Sequence, residues 1–104
     1  MPTNESTGLP RPRDYPQVVK LADAMREKLL ANAHKGSWQH VDVGYLLDRL
    51  NDEVAELEAV CRAARNYQMR GKGEDPDLLM KVRQEAADVA NFAMMVADVL
   101  GALP

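Results

Sequence analysis

The chain has 104 residues, a single cysteine, a hydrophobic fraction of 46% and a formal net charge of -3. These values suit one globular domain and offer no basic footprint for nucleic acid. They leave no internal disulfide, and no apolar run reaches the length of a membrane span or forms a secretory signal, so the default expectation is a cytoplasmic protein.

Only 5% of the residues are aromatic, and Ala, Leu, Val and Met dominate the apolar set. That mix favours packed helices over sheets. A chain this short buries a modest share of its surface when it folds alone, so self-association would cover more apolar area.

Residues 1–13 hold three prolines, a glycine and several small polar side chains. They read as a flexible N-terminal arm ahead of a helical domain over 14–104. Asp14-Tyr15-Pro16 has the form of a helix start, with a capping acid and a proline in the first turn. Val18, Leu21, Ala22, Met25, Leu29 and Leu30 then recur at three- and four-residue steps, which predicts a first helix ending near His34. Lys35-Gly36-Ser37-Trp38 breaks the pattern and is expected to be a loop.

A second helix is expected from Asp42 or Val43 to about Met69, with Leu46, Leu47, Leu50, Val54, Leu57, Val60, Cys61 and Ala64 as its apolar positions. Cys61 reads there as a small buried hydrophobe. Gly71-Lys72-Gly73 ends the helix, and Asp75-Pro76-Asp77 repeats the cap-and-proline start. The third helix carries Leu78, Leu79, Val82, Ala86, Val89, Phe92, Ala93, Val96, Val99 and Leu100, and stops at Gly101. No stretch shows strand alternation. The expected fold is all-α, an antiparallel bundle of three main helices completed by homo-oligomerisation.

The second and third helices share one chemical pattern. On a wheel of about 100° per residue with Leu46 at zero, the apolar stripe spans roughly -40° to +100°. Glu53 falls at about -20°, inside the stripe, and Glu56 at about -80°, just beyond its edge. With Leu78 at zero, Glu85 and Asp88 take the same two angles. An ionised carboxylate withdrawn from water is costly unless compensated. Four such groups would raise one another's pKa values or demand a cation.

Arg49 and Lys81 precede the acids by one turn and read as lying on the polar side, so no basic residue is expected at matching height. A divalent metal is then the economical partner, and oxygen-only ligands favour Mg²⁺, Mn²⁺ or Ca²⁺ over zinc. The same pattern also suits boundary acids or polar helix contacts, because Glu-x-x-Glu is common on solvated helix faces.

The pattern Asp52-Glu53-x-x-Glu56 followed by Glu85-x-x-Asp88 resembles the MazG-like family of all-α nucleoside triphosphate pyrophosphohydrolases. That family carries Glu-Glu-x-x-Glu on one helix and Glu-x-x-Asp on the next. Asp52 departs from it at the outer acid alone. The resemblance covers about residues 15–100. The segments Glu85 to Met95 and His34 to Trp38 look most like short single-domain members from phages and bacteria.

The resemblance implies Mg²⁺-dependent cleavage between the α- and β-phosphates of a nucleoside triphosphate, with the short members pointing to the purine deoxynucleotides dGTP or dATP and Mn²⁺ able to substitute. Glu53, Glu56, Glu85 and Asp88 would be the metal ligands, and Glu53 or Glu56 would also orient the attacking water. Related enzymes of this fold act on dCTP, dUTP or phosphoribosyl-ATP. Members form homodimers or homotetramers whose subunits share each site.

Substrate contacts are expected from four further residues, each with a plainer alternative. Lys35 would meet a phosphate or be a solvated loop lysine. Trp38 would stack on a base or cap the bundle end. Asn91 would bond phosphate or ribose, or bridge helices. His34 would touch substrate or sit at a helix end. Met94, Met95, Met25 and Met80 read as core or interface packing. The non-enzymatic alternative is a helical interaction module whose acids are surface charges.

Overall fold

The computed structural model describes residues 15–71 and 73–104. The expected arm and the Asp14 cap lie outside them. Helix α1 spans Pro16–Ala31, α2 Val43–Met69 and α3 Pro76–Val99, with a short 3₁₀ turn at Ala33–Lys35; the described residues contain no strand.

The helix boundaries follow from local chemistry. Pro16 occupies the first turn of α1, where its missing N–H costs nothing. The Asp42 carboxylate accepts a hydrogen bond from the Tyr45 amide at the start of α2, and Asp75 does the same for Asp77 before α3. Each satisfies an amide that the helix leaves unpaired.

At the other end of α3, Ala102 N–H bonds the Ala97 carbonyl and Gly101 N–H bonds that of Asp98. This is a Schellman closure around Gly101, whose φ is 78°. α1 ends at Ala31 rather than near His34. The Asn32 side chain takes the Lys28 carbonyl, and the chain tightens into the 3₁₀ turn. Gly36 then leaves that turn at φ 90°, a left-handed conformation that disfavours a Cβ.

Helix α3 is the middle element. α1 and α2 both pack on it, while their backbones do not approach each other. α2 and α3 run antiparallel, since Arg49 lies over Phe92 while Glu56, further along α2, meets Glu85, further back on α3. α1 is tied to α3 by a bidentate Arg83–Glu27 pair at 2.6 and 3.3 Å, and by Asn91 Nδ2, which donates to the Met25 carbonyl at 3.0 Å.

The three helices therefore form an open layer rather than a closed triangle, and the gap between α1 and α2 is where the cavity lies. The radius of gyration is 16.6 Å, against about 13 Å for a compact chain of this length.

The apolar core is correspondingly thin. Ala24, Leu46, Ala64 and Ala87 are its buried members. Val18, Leu30, Leu47, Val54, Met80 and Leu100 are exposed. Cys61, expected inside, is also exposed. Leu47, Val54 and Cys61 are spaced by seven and so share one face of α2. The residues α2 turns to α3 are one position earlier, at Leu46 and Glu53. Cys61 lies in the apolar stripe by its period, but a stripe this wide is only half covered by one neighbouring helix, so the residue is not buried.

Candidate metal and substrate site

The acids are gathered by the antiparallel register of α2 and α3. Glu53 and Glu56 are one turn apart on α2, Glu85 and Asp88 one turn apart on α3, and the two pairs face each other. One carboxylate oxygen from each of Glu53, Glu56 and Glu85 lies within 4.8 Å of the others. Glu53 is buried, with 5% of its surface exposed. Glu85 is half-buried and Glu56 exposed. Asp88 stands apart from this trio and pairs with Lys28 at 3.3 Å. Asp52, at the outer position, is exposed and bonds Arg49 at 3.3 Å.

Burial raises the Glu53 pKa from its ordinary 4.5 to about 7. The Glu56 carboxylate adds to this by hydrogen bond and by charge, and Asp88 by charge, against the opposing pull of Arg49. Burial and the nearby Glu56 carboxylate raise Glu85 as well, with the charge of Asp88 acting in the same direction.

Two carboxylate oxygens, Glu53 Oε2 and Glu85 Oε2, are buried without a hydrogen-bond partner among the described residues. A buried acceptor left unmade is costly. Two side chains with such oxygens, converging with a third carboxylate, fit a hard divalent cation, which takes oxygen ligands and offsets their charge.

The expectation that no base stands beside the acids is corrected. Arg49 Nη2 bonds Glu53 Oε1 at 2.9 Å, and its guanidinium lies 5.4 Å from the Phe92 ring centroid. A wheel locates the backbone, whereas the arginine stem carries its head group a full turn along α2 and over α3. Lys81 remains exposed, as expected. The position of Lys28 is legible in the sequence: it is seven residues after Leu21, on the apolar side of α1. A lysine there points to a shielded acid.

Glu53 also forms part of the wall of a cavity of about 870 Å³, within the usual size of small-molecule sites. Asp88 lines it too, with Lys28 and Asn32 from α1, Leu46 and Arg49 from α2, and Phe92 and Met95 from α3. The loop after α1 closes one side through Lys35 and Trp38. Lys35, Trp38 and Asn91 are thus brought to the same space as Glu53 and Asp88. His34 is not: it is exposed on the 3₁₀ turn and lies outside the cavity wall.

Trp38 is half-buried. It lines the cavity, and its indole N–H donates to Asp98 Oδ2 at 2.9 Å, pinning the loop to the end of α3. Asp98→Ala is expected to cost about 1–2 kcal/mol and to shift Trp38 fluorescence to the red as the loop loosens. An unchanged emission spectrum and urea midpoint would count against the tether.

Asn91 is buried, with one amide N–H donated to the Met25 carbonyl and its Oδ1 unpartnered. A carbonyl accepts only, so the amide orientation is set. Asn91 therefore offers an acceptor. A ribose hydroxyl or a base N–H can use it, and a fully ionised phosphate cannot.

The fold and site together define an all-α protein with a carboxylate cluster at the edge of an interhelical cavity that also carries basic side chains. No family model matches the chain, and no curated protein or solved structure matches it either.

Proposed function

We propose that this protein is a Mg²⁺-dependent nucleoside triphosphate pyrophosphohydrolase of the MazG-like kind, releasing a nucleoside monophosphate and pyrophosphate. The observation that carries this reading is the convergence of the Glu53, Glu56 and Glu85 carboxylates beside an interhelical cavity, with a buried, unpartnered oxygen on Glu53 and another on Glu85. The cavity wall holds Lys28, Lys35 and Arg49 together with Glu53 and Asp88, a charge set suited to an anion that arrives with a cation.

Glu53, Glu56, Glu85 and Asp88 would hold the metal, with Mn²⁺ as a substitute. The bound ion would neutralise phosphate oxygens and acidify a water for in-line attack. Glu53 or Glu56 orients that water and takes its proton. Lys35 contacts the phosphate chain, Trp38 stacks against the base, and Asn91 accepts from sugar or base. The half-covered apolar stripe through Leu47 and Val54 supports a homodimer or homotetramer.

The test is a panel of ribo- and deoxynucleoside triphosphates with Mg²⁺, resolving pyrophosphate from phosphate. Pyrophosphate with the monophosphate is the expected product, with purine deoxynucleotides as favoured substrates. Release of single phosphates, or no turnover across the panel, would contradict the reading.

A second reading, a helical interaction module without catalysis, draws support from the same exposed stripe. It expects self-association with no turnover and no stabilisation by metal plus triphosphate.

A further inference from the structure

We propose that Arg49 and Lys28 exchange partners: in the metal-free protein they neutralise Glu53 and Asp88, and in the loaded protein they bind the polyphosphate chain of the ligand. This deepens the pyrophosphohydrolase reading and rests on it.

Two ion pairs in one cavity suggest the exchange. Arg49 Nη2 meets Glu53 Oε1 at 2.9 Å, and Lys28 Nζ meets Asp88 Oδ2 at 3.3 Å. All four residues line the cavity. Each base comes from a different helix, α1 or α2, and each neutralises an acid that the proposed function gives to the metal. Glu53 keeps its second oxygen unpartnered despite the arginine, so the pair does not complete the site.

Arg49 is also held independently of Glu53. Its guanidinium rests over Phe92 and bonds the exposed Asp52 at 3.3 Å. A planar fork supported on an aromatic face remains in the cavity when Glu53 turns to a cation. Its donors then suit phosphate oxygens, which guanidinium binds in bidentate fashion. Lys28, released from Asp88, supplies a second point charge from the opposite wall.

The exchange makes a prediction of opposite sign for two ligands. Arg49 competes with metal for Glu53 but assists the polyphosphate. A purely structural arginine would weaken both together. Binding is measured by calorimetry for Mn²⁺ alone, then for inorganic tripolyphosphate at a fixed excess of Mg²⁺. The chains compared are wild type, Arg49→Gln, Lys28→Gln and Glu53→Gln, with far-ultraviolet circular dichroism to check helicity.

Arg49→Gln is expected to bind Mn²⁺ alone about tenfold more tightly and tripolyphosphate about tenfold more weakly. Lys28→Gln should shift both in the same directions, less strongly, and keeps the prediction testable if the arginine variant loses helicity. Mn²⁺ binding that is unchanged or weaker in both variants, or tripolyphosphate binding that is unchanged, overturns the exchange alone, provided wild type takes up metal and Glu53→Gln does not. Absence of Mn²⁺ uptake by wild type overturns the exchange and the metal-dependent function together.

Discussion

Glu53→Gln is expected to make the metal-free protein more stable while abolishing its response to metal. Glu53 is buried to 5% exposure and one of its oxygens has no partner. At pH 8 it is held ionised against a pKa of about 7, and that ionisation strains the fold. A neutral amide removes the charge, and its carbonyl still accepts from Arg49. Its NH₂ can donate to Glu56 or Glu85.

One unit of pKa shift corresponds to about 1.4 kcal/mol. Allowing for relaxation around the site, the metal-free variant at pH 8 should melt about 5–10 °C above wild type. Turnover should fall by about a hundredfold or more, as when a group acting directly on the reacting centre is lost. The stabilisation that wild type gains from Mg²⁺ with a non-hydrolysable triphosphate should vanish. A variant that melts lower than wild type in chelator, yet still gains from Mg²⁺, would show that Glu53 is an ordinary structural acid.

The second large effect is a reversal of pH dependence by metal. The folded-state pKa of Glu53 lies above its ordinary 4.5, so between about 4.5 and 7 the folded chain binds more protons than the unfolded one. Stability from this group is therefore complete below pH 4.5 and is lost as pH rises through 7. Glu85, raised for the same reasons, acts in the same direction. Glu27 is shifted the other way by its bond to Arg83, and its contribution is lost only as pH falls below about 4.5.

In chelator, the melting temperature should accordingly fall between pH 5 and pH 8. With saturating Mg²⁺ the slope should flatten or invert, because metal binds the carboxylate form and competes with protons. A Glu53→Gln chain should lose most of the fall in chelator. Thermal scans at four pH values, each with chelator and with Mg²⁺, check this. Parallel curves in the two conditions would mean that the acids do not share a cation.

Much of this protein was legible in its amino-acid order. Helix limits followed from residues acting on their own neighbours: Pro16, the capping acids Asp42 and Asp75, and the left-handed glycines Gly71 and Gly101. The intrusion of Glu53 and Glu85 into apolar stripes was readable too, because the helical period is constant along each element.

The tertiary structure decided the rest. It made α3 the middle helix and left the space between α1 and α2 as a cavity. It set Asp88 against Lys28 rather than among the glutamates, stretched Arg49 over Phe92, tied Trp38 to Asp98 sixty positions away, and put His34 outside the pocket. A sequence pattern fixes angles about one helix axis. Which axes approach, and how far a long side chain reaches between them, depends on packing between segments remote in the chain.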